Sequence, residues 1–425
     1  MVFYFSVIYI GLVIIQPVEW IGFLEGIPAQ ELTILFGILL SFVSCNERLF
    51  SVVTSLPSKL FLSFIFFSIL SVVGEGMSYA IGHIGVNYIK FYLGFLLLII
   101  GVDSNEKLYK LMNYIVLFTL VVSYHCINLK HNGVEIGHGI GATAHVLNWR
   151  GSVQWLGAFF GSNTTALLLL FPLGVSLGLF FKQDKALKKV YYIMTTLVIG
   201  YSFLLTGSRG GFIGLLAILF YFGYIKLNIK LKVYLPLSLI CMVLVIALKP
   251  QEEGRGLSES STPERIELFH QGLQMFKEHP ILGVGANQFP SNNHIRKTAH
   301  NIYLNHLAEI GFLGFFSFIM MFLIPFKAML RVSANLKQSQ KEDLILERSI
   351  NIVIMSIIGF STAAFFLSVQ HEIPYILLSF ITLIAINNKE DFSYSFKEIR
   401  TIVMLMIFVI ALVYFAIQLY FSLFV

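Results

Sequence analysis

Apolar residues run in long stretches centred near residues 9, 37, 67, 94, 117, 169, 198, 217, 241, 317, 358, 379 and 412. A helix that crosses a bilayer needs about 20 mostly apolar residues, within a range of roughly 17–25. The pattern therefore predicts an all-α, polytopic membrane protein of about 12–13 transmembrane helices. No internal repeat, low-complexity tract or separate soluble domain breaks it, so residues 1–425 read as one integral-membrane domain. Pro17 and the stretch His371-Glu372-Ile373-Pro374 mark the least regular boundaries. The first apolar run has neither the basic n-region nor the cleavage site of a signal peptide, which predicts a retained first span.

Composition excludes the main alternatives. Hydrophobic residues make up 57% of the chain and charged residues 12%, with a mean hydropathy of +0.80. A soluble domain carries about 25% charged residues, so a soluble enzyme, a nucleic-acid binder and a disordered chain all lack the polar surface they need. The net charge of +6 is then a matter of lipid, not nucleic acid: basic residues facing an anionic leaflet. Cys45, Cys126 and Cys241 lie in or beside apolar runs without metal-like spacing and are expected to pack.

Charge also orients the chain. One alternating set of loops holds 19 of the 29 basic residues, among them Arg48, Lys107, Lys182, Lys189, Lys327 and Arg331. The positive-inside bias places that set, and the N-terminus, in the cytoplasm. Thirteen spans would put the C-terminus outside, and twelve would put it inside.

The external side carries two unusual loops. Residues from about Lys130 to Ser152 include His131, His138, His145 and Arg150. The loop from about Lys249 to His300 is the longest polar stretch, with six basic residues, six glutamates and four histidines. Within it, Thr262 and Pro263 form a helix start, and Ile266, Phe269, Leu273 and Phe276 recur at helical spacing. Glu278-His279-Pro280 should end that helix, which is expected to lie on the outer membrane surface. Gly283, Gly285 and Pro290 then lead through turns to Thr298-Ala299-His300-Asn301, where the next span begins.

Arg209 sits in Thr206-Gly207-Ser208-Arg209-Gly210-Gly211, between two apolar runs with almost no loop. A charge so near the hydrocarbon is costly and generally has a ligand or partner, snorkelling to headgroups being the plainer alternative. The flanking glycines suggest close backbone approach to an anion. The middles of the spans hold essentially no acidic or basic residue, whereas ion-coupled transporters place such groups near the midplane. The polar chemistry gathers instead at the outer boundary.

These motifs resemble the bacterial O-antigen ligase and O-antigen polymerase superfamily of integral-membrane glycosyltransferases. Ser208-Arg209-Gly210-Gly211 is similar to the family's Ser-Arg-Gly-Gly turn, and Arg265 opens the loop helix. His279-Pro280-Ile281-Leu282-Gly283-Val284-Gly285 is similar to its His-Pro-x-x-Gly-x-Gly stretch. His300-Asn301, nine residues, then Gly311-Phe312-Leu313-Gly314 fits its His-(Asn/Ser/Gln)-x9-Gly-x-x-Gly signature. One departure is Phe160-Gly161-Ser162-Asn163-Thr164, where members often show Phe-Gly-Asn-Pro-Asn.

The resemblance implies a GT-C-like fold whose periplasmic loop, residues 249–300, carries catalytic residues. It implies a bacterial inner-membrane enzyme with its site facing the periplasm. The donor would be a glycan on undecaprenyl diphosphate and the acceptor lipid A-core or a second glycan; no nucleic acid and no cofactor are involved. The residue types suit that task. Arg209 and Arg265 would stabilise the leaving diphosphate bidentately, without a metal, since no Asp-x-Asp motif occurs. His300 would take the proton of the attacking hydroxyl. Arg150, Ser208 and Asn301 are assigned to substrate binding, whereas His279 suffices as a turn former and Gly311 and Gly314 as packing positions. A ligase moving finished polysaccharide to lipid A-core is the preferred reading, a polymerase joining lipid-linked repeat units the second, and a lipid-linked glycan flippase the third.

Overall fold

The computed structural model describes residues 1–132, 152–155, 157–159, 161–180, 183, 185–227, 262–338, 343–367 and 371–424. Among them the chain is a succession of helices with no strand. Fourteen carry the architecture, in chain order. They are α1 (Val2–Ile15), α2 (Ala29–Ser44), α3 (Asn46–Val53), α4 (Leu56–Ser71), α5 (Met77–Gly101), α6 (Asn105–Asn132) and α7 (Ser162–Phe180). The second half adds α8 (Ala186–Leu205), α9 (Arg209–Leu227), α10 (Thr262–Glu278), α11 (Ile302–Gln338), α12 (Leu344–Ala363), α13 (Ile373–Asn387) and α14 (Phe396–Phe424).

Every apolar run read from the sequence falls within one of these helices, except that near residue 241, which lies outside the described residues. Among the described residues, six helices are long and apolar enough to cross a membrane: α5, α6, α7, α11, α12 with its continuation to Phe366, and α14. The pair α2 and α3 adds a seventh if taken as one span, bent by 115°. Helices α1, α4, α9 and α13 are apolar but shorter. The chain is an all-α polytopic membrane protein.

Packing follows residue type. α4 lies along α11, and α13 packs between α11 and α5, with α1 against α2, α5 and α6. A second group joins α7, α8, α9 and α12. Glycines set the closest approaches there: a Cβ on Gly178 would lie 2.2 Å from Ile352, and one on Gly214 would lie 2.7 Å from the Gly359 carbonyl. In lipid, such small-residue contacts hold helices together without a hydrophobic driving force.

The two ends of the bundle are tied differently. At one end Arg48 of α3 donates to the Ile99 carbonyl from Nε (3.0 Å) and Nη2 (2.8 Å), and to Asn387 Oδ1 (2.7 Å). A cation thus satisfies terminal carbonyls of α5 and holds the end of α13. Lys107, Lys327 and Arg331 gather at the same end. At the opposite end lie the starts of α7, α9, α11 and α13, and it is there that the candidate chemistry collects.

Candidate active site

The start of α9 is built by Ser208. Gly207 turns the chain at φ 65°, and the buried Ser208 hydroxyl accepts the Gly211 N–H (3.1 Å) as a helix N-cap. The same hydroxyl donates to Asn163 Oδ1 (2.7 Å), in the first turn of α7. Ser208, expected to bind substrate, thus caps α9, and the segment that departs from the family pattern supplies its partner. Arg209 follows as the first helical residue and is exposed. Its neighbouring glycines face protein: a Cβ on Gly210 would meet that of Phe366 at 2.7 Å, and one on Gly211 that of Ala166 at 2.9 Å. Helix packing, which a sequence does not show, explains them in place of a close backbone approach to an anion.

The long loop contributes α10, which ends at Glu278 as expected. It does not lie on the membrane surface alone. Leu268, Leu273 and Met275 are buried with Phe289, Ala299, Leu304 and Ala308, and Tyr414 and Ile417 of α14 pack against them. Of the apolar face that periodicity assigns to lipid, Leu273 is buried and Phe269 packs against the same cluster, because the loop's own return, α11 and α14 bring apolar side chains to it. Arg265 is half-buried on this helix, and Glu264 beside it pairs with Lys297 at 2.7 Å.

Beyond α10 the His-Pro segment threads into a break in α11. At Gly311 the backbone adopts φ 62°, ψ −169°. The freed groups are met by the loop: Phe312 N–H donates to Pro280 O (2.8 Å), while Val284 and Gly285 N–H donate to Ala308 O (3.0 Å) and Glu309 O (2.8 Å). Cβ atoms on Gly283 and Gly311 would fall within 2.3–2.6 Å of backbone across this contact. The two glycine motifs are thus halves of one joint. The buried Glu309 carboxylate accepts the Phe289 N–H (3.2 Å), and Ser71 Oγ at the end of α4 accepts the Ala286 N–H (3.0 Å).

His300 stands at the mouth of α11 in a left-handed backbone conformation, φ 51°, and is half-buried. Asn301 caps the helix, its Oδ1 accepting the Leu304 N–H (3.0 Å). One turn on, the Tyr303 ring packs at a tilt against Phe365 (4.7 Å) and its hydroxyl donates to the Ser361 carbonyl (3.2 Å). The starts of α9 and α11 therefore flank one short helical turn, Ala364–Phe366, through Gly210 and Tyr303. Below Tyr303 an apolar cavity of about 250 Å³ descends between α11, α12 and α13, lined by Phe318, Phe322, Ile357 and Ile381 among others. Arg150 lies outside the described residues, as do His138 and His145; His131 pairs with the Tyr201 hydroxyl at 2.7 Å.

The sequence reading gave no role to Asn163, Asn305 and Glu309, single polar residues near helix starts or beside the break in α11. It also missed a second polar group at this end. Lys90 lies 3.6 Å from Glu31 and 3.7 Å from Glu372. Burial raises the Glu372 carboxyl, an effect Lys90 opposes, and pushes the adjacent His371 imidazole down to about 3, keeping it neutral against Phe159 (4.7 Å). The irregular boundary at residues 371–374 was the available signal.

With this geometry in view, residues 194–319 match the family model described as O-antigen ligase. The matched stretch holds the Ser208 turn, Arg265, the His-Pro segment, His300 and the Gly311 break. No curated protein matches the chain.

Proposed function

We propose that this member of the O-antigen ligase and polymerase superfamily, supported as such by residues 194–319, is the ligase: a glycosyltransferase that moves a polysaccharide from undecaprenyl diphosphate to lipid A-core. The observation that carries the reading is the shared position of exposed Arg209 and of His300, on either side of Ala364–Phe366 and above an apolar cavity. A lipid-linked sugar diphosphate needs that arrangement: cationic donors at the headgroup level and hydrocarbon below.

In this mechanism the bond from the anomeric carbon to the phosphate oxygen breaks, and its electron pair leaves with the diphosphate. Arg209, at the positive end of α9, and Arg265 bind the charge that develops there. The acceptor oxygen forms the new glycosidic bond while His300 takes its proton. Two fixed guanidinium groups do the work otherwise given to a divalent metal. The apolar cavity takes part of the carrier's isoprenoid chain, and the site faces the periplasm of the inner membrane because the opposite end carries Arg48, Lys107, Lys327 and Arg331.

The surface glycan of a deletion strain tests the reading. Full-length polymer accumulating on the lipid carrier supports the ligase. Single repeats capping the core would make the protein a polymerase, and absence of lipid-linked glycan from the outer leaflet would make it a flippase.

A further inference from the structure

Both backbone flanks of His300 are tied to one residue. Asn305 Oδ1 accepts the Ala299 N–H at 2.9 Å, and the Asn305 backbone N–H donates to the Asn301 carbonyl at 2.9 Å. His300 is the middle of a loop that Asn305 closes from both sides. Asparagine is a poor helix former, yet it stands in the first turn of α11 within the run Ile302-Tyr303-Leu304-Asn305, buried to 4% exposure. Such burial is tolerated when the amide has fixed partners. A left-handed conformation in a non-glycine residue is strained and persists only where its surroundings hold it. Residues 299–301 precede α11, and the Asn301 carbonyl already accepts the first bond of that helix. The side chain of Asn305 is what spans the turn.

We propose that Asn305 is the positioning residue for His300: it holds the left-handed turn that aims the imidazole at the acceptor hydroxyl. The inference rests on the reading of His300 as the base of glycosyl transfer. It adds that one residue of α11 sets the base, through its side chain at Ala299 and its backbone N–H at Asn301.

The test is a double-mutant cycle on the full-length protein in nanodiscs, with undecaprenyl-diphosphate-linked glycan as donor and lipid A-core as acceptor. Asn305→Ala should lower kcat by about tenfold to a hundredfold, the cost of a misplaced reacting group, with donor affinity unchanged. Asn305→Asp keeps the acceptor oxygen, sits where the α11 dipole favours a negative charge, and should transfer glycan at close to the wild-type rate. Adding Asn305→Ala to His300→Ala should cost nothing further, since a positioning residue has nothing left to position. Additive losses in the double variant would overturn the proposal and make Asn305 a general packing residue. So would wild-type kcat in Asn305→Ala while His300→Ala is inactive; that result leaves the role of His300 intact. Full activity in His300→Ala would instead overturn the reading of the base itself. Should Asn305→Ala fail to insert, Asn305→Ser, with a shorter acceptor, is judged by the same criteria.

Discussion

Replacing Gly311 by alanine separates a packing role for the paired glycines from contact with substrate. The backbone there, φ 62° and ψ −169°, belongs to a region that only glycine populates readily. An added Cβ would sit 2.4 Å from the Ile281 carbonyl carbon and oxygen and 2.6 Å from the Gly283 nitrogen. These are backbone atoms, with no rotamer to move away. Strain of about 1–3 kcal/mol at such a position adds to the loss of loop-to-helix hydrogen bonds. Those of Phe312, Val284 and Gly285 are at risk, each worth about 0.5–1.5 kcal/mol net. The sum is roughly 2.5–7.5 kcal/mol, enough to undock the segment that joins α10 to α11.

Thermal unfolding of the detergent-solubilised protein measures the loss, and limited proteolysis between residues 279 and 300 locates it. Gly311→Ala should melt several degrees lower and be cut in that loop. Gly82→Ala, whose Cβ would meet nothing within 4 Å, should do neither. A Gly311→Ala protein with wild-type melting and an uncut loop, but without activity, would refute the packing argument and return the glycine to the substrate.

Other consequences concern the chemistry. Lysine at Arg209 or Arg265 keeps the charge but loses the bidentate fork, so those variants should retain partial transfer. Alanine should cost at least about tenfold per charge-assisted bond lost; normal turnover in Arg265→Ala would move the diphosphate site elsewhere, with Arg150 next. Filling the cavity with Ile357→Trp or Ala364→Phe should raise KM for donors with a full-length isoprenoid chain and spare those with a short one. Equal effects on both would remove the chain from the cavity. Transfer should persist in excess chelator, and activity lost there but restored by magnesium or manganese would sink the two-arginine account. A cysteine at exposed Ser291, in a variant without native cysteines, should react with an impermeant reagent in intact cells. Reaction only after the inner membrane is broken would invert the orientation.

The spans were legible because lipid demands that a helix be apolar over its whole crossing, and one composition rule then locates each of them. α10 was legible for a related reason: Ile266, Phe269, Leu273 and Phe276 declare a helix whatever covers them. What covers them was not legible. Phe289, Ala299, Leu304 and Tyr414 come from three separate segments, and only the folded chain brings them to one face. The same limit applies to Gly210 and Gly211, whose neighbours Phe366 and Ala166 are distant in sequence. Arg209 and His300 could be picked out as chemistry because a charge or an imidazole at a membrane boundary needs a reason. Asn163 and Asn305 could not, since their significance is a bond to one backbone or hydroxyl group far off or across a turn.

That difference divides the site into two kinds of residue. Gly283, Gly311, Asn163 and Asn305 contribute no reactive group; they fix where the starts of α9 and α11 lie and how the chain enters them. Arg209 is exposed at one such start, and His300 stands before the other. Helix N-termini suit this use because their unpaired N–H groups and dipole favour an anion. Yet a helix start is also where the backbone is least constrained. Each one here is secured by side-chain bonds: Ser208 and Asn163 at α9, Asn301 and Asn305 at α11. Two phenotypes follow from that division. Loss of a securing residue should lower kcat while its reactive neighbour keeps whatever activity the loosened geometry allows, and the acceptor-retaining substitution should restore it. Loss of Arg209 or His300 should not be recovered by any change at Asn163 or Asn305.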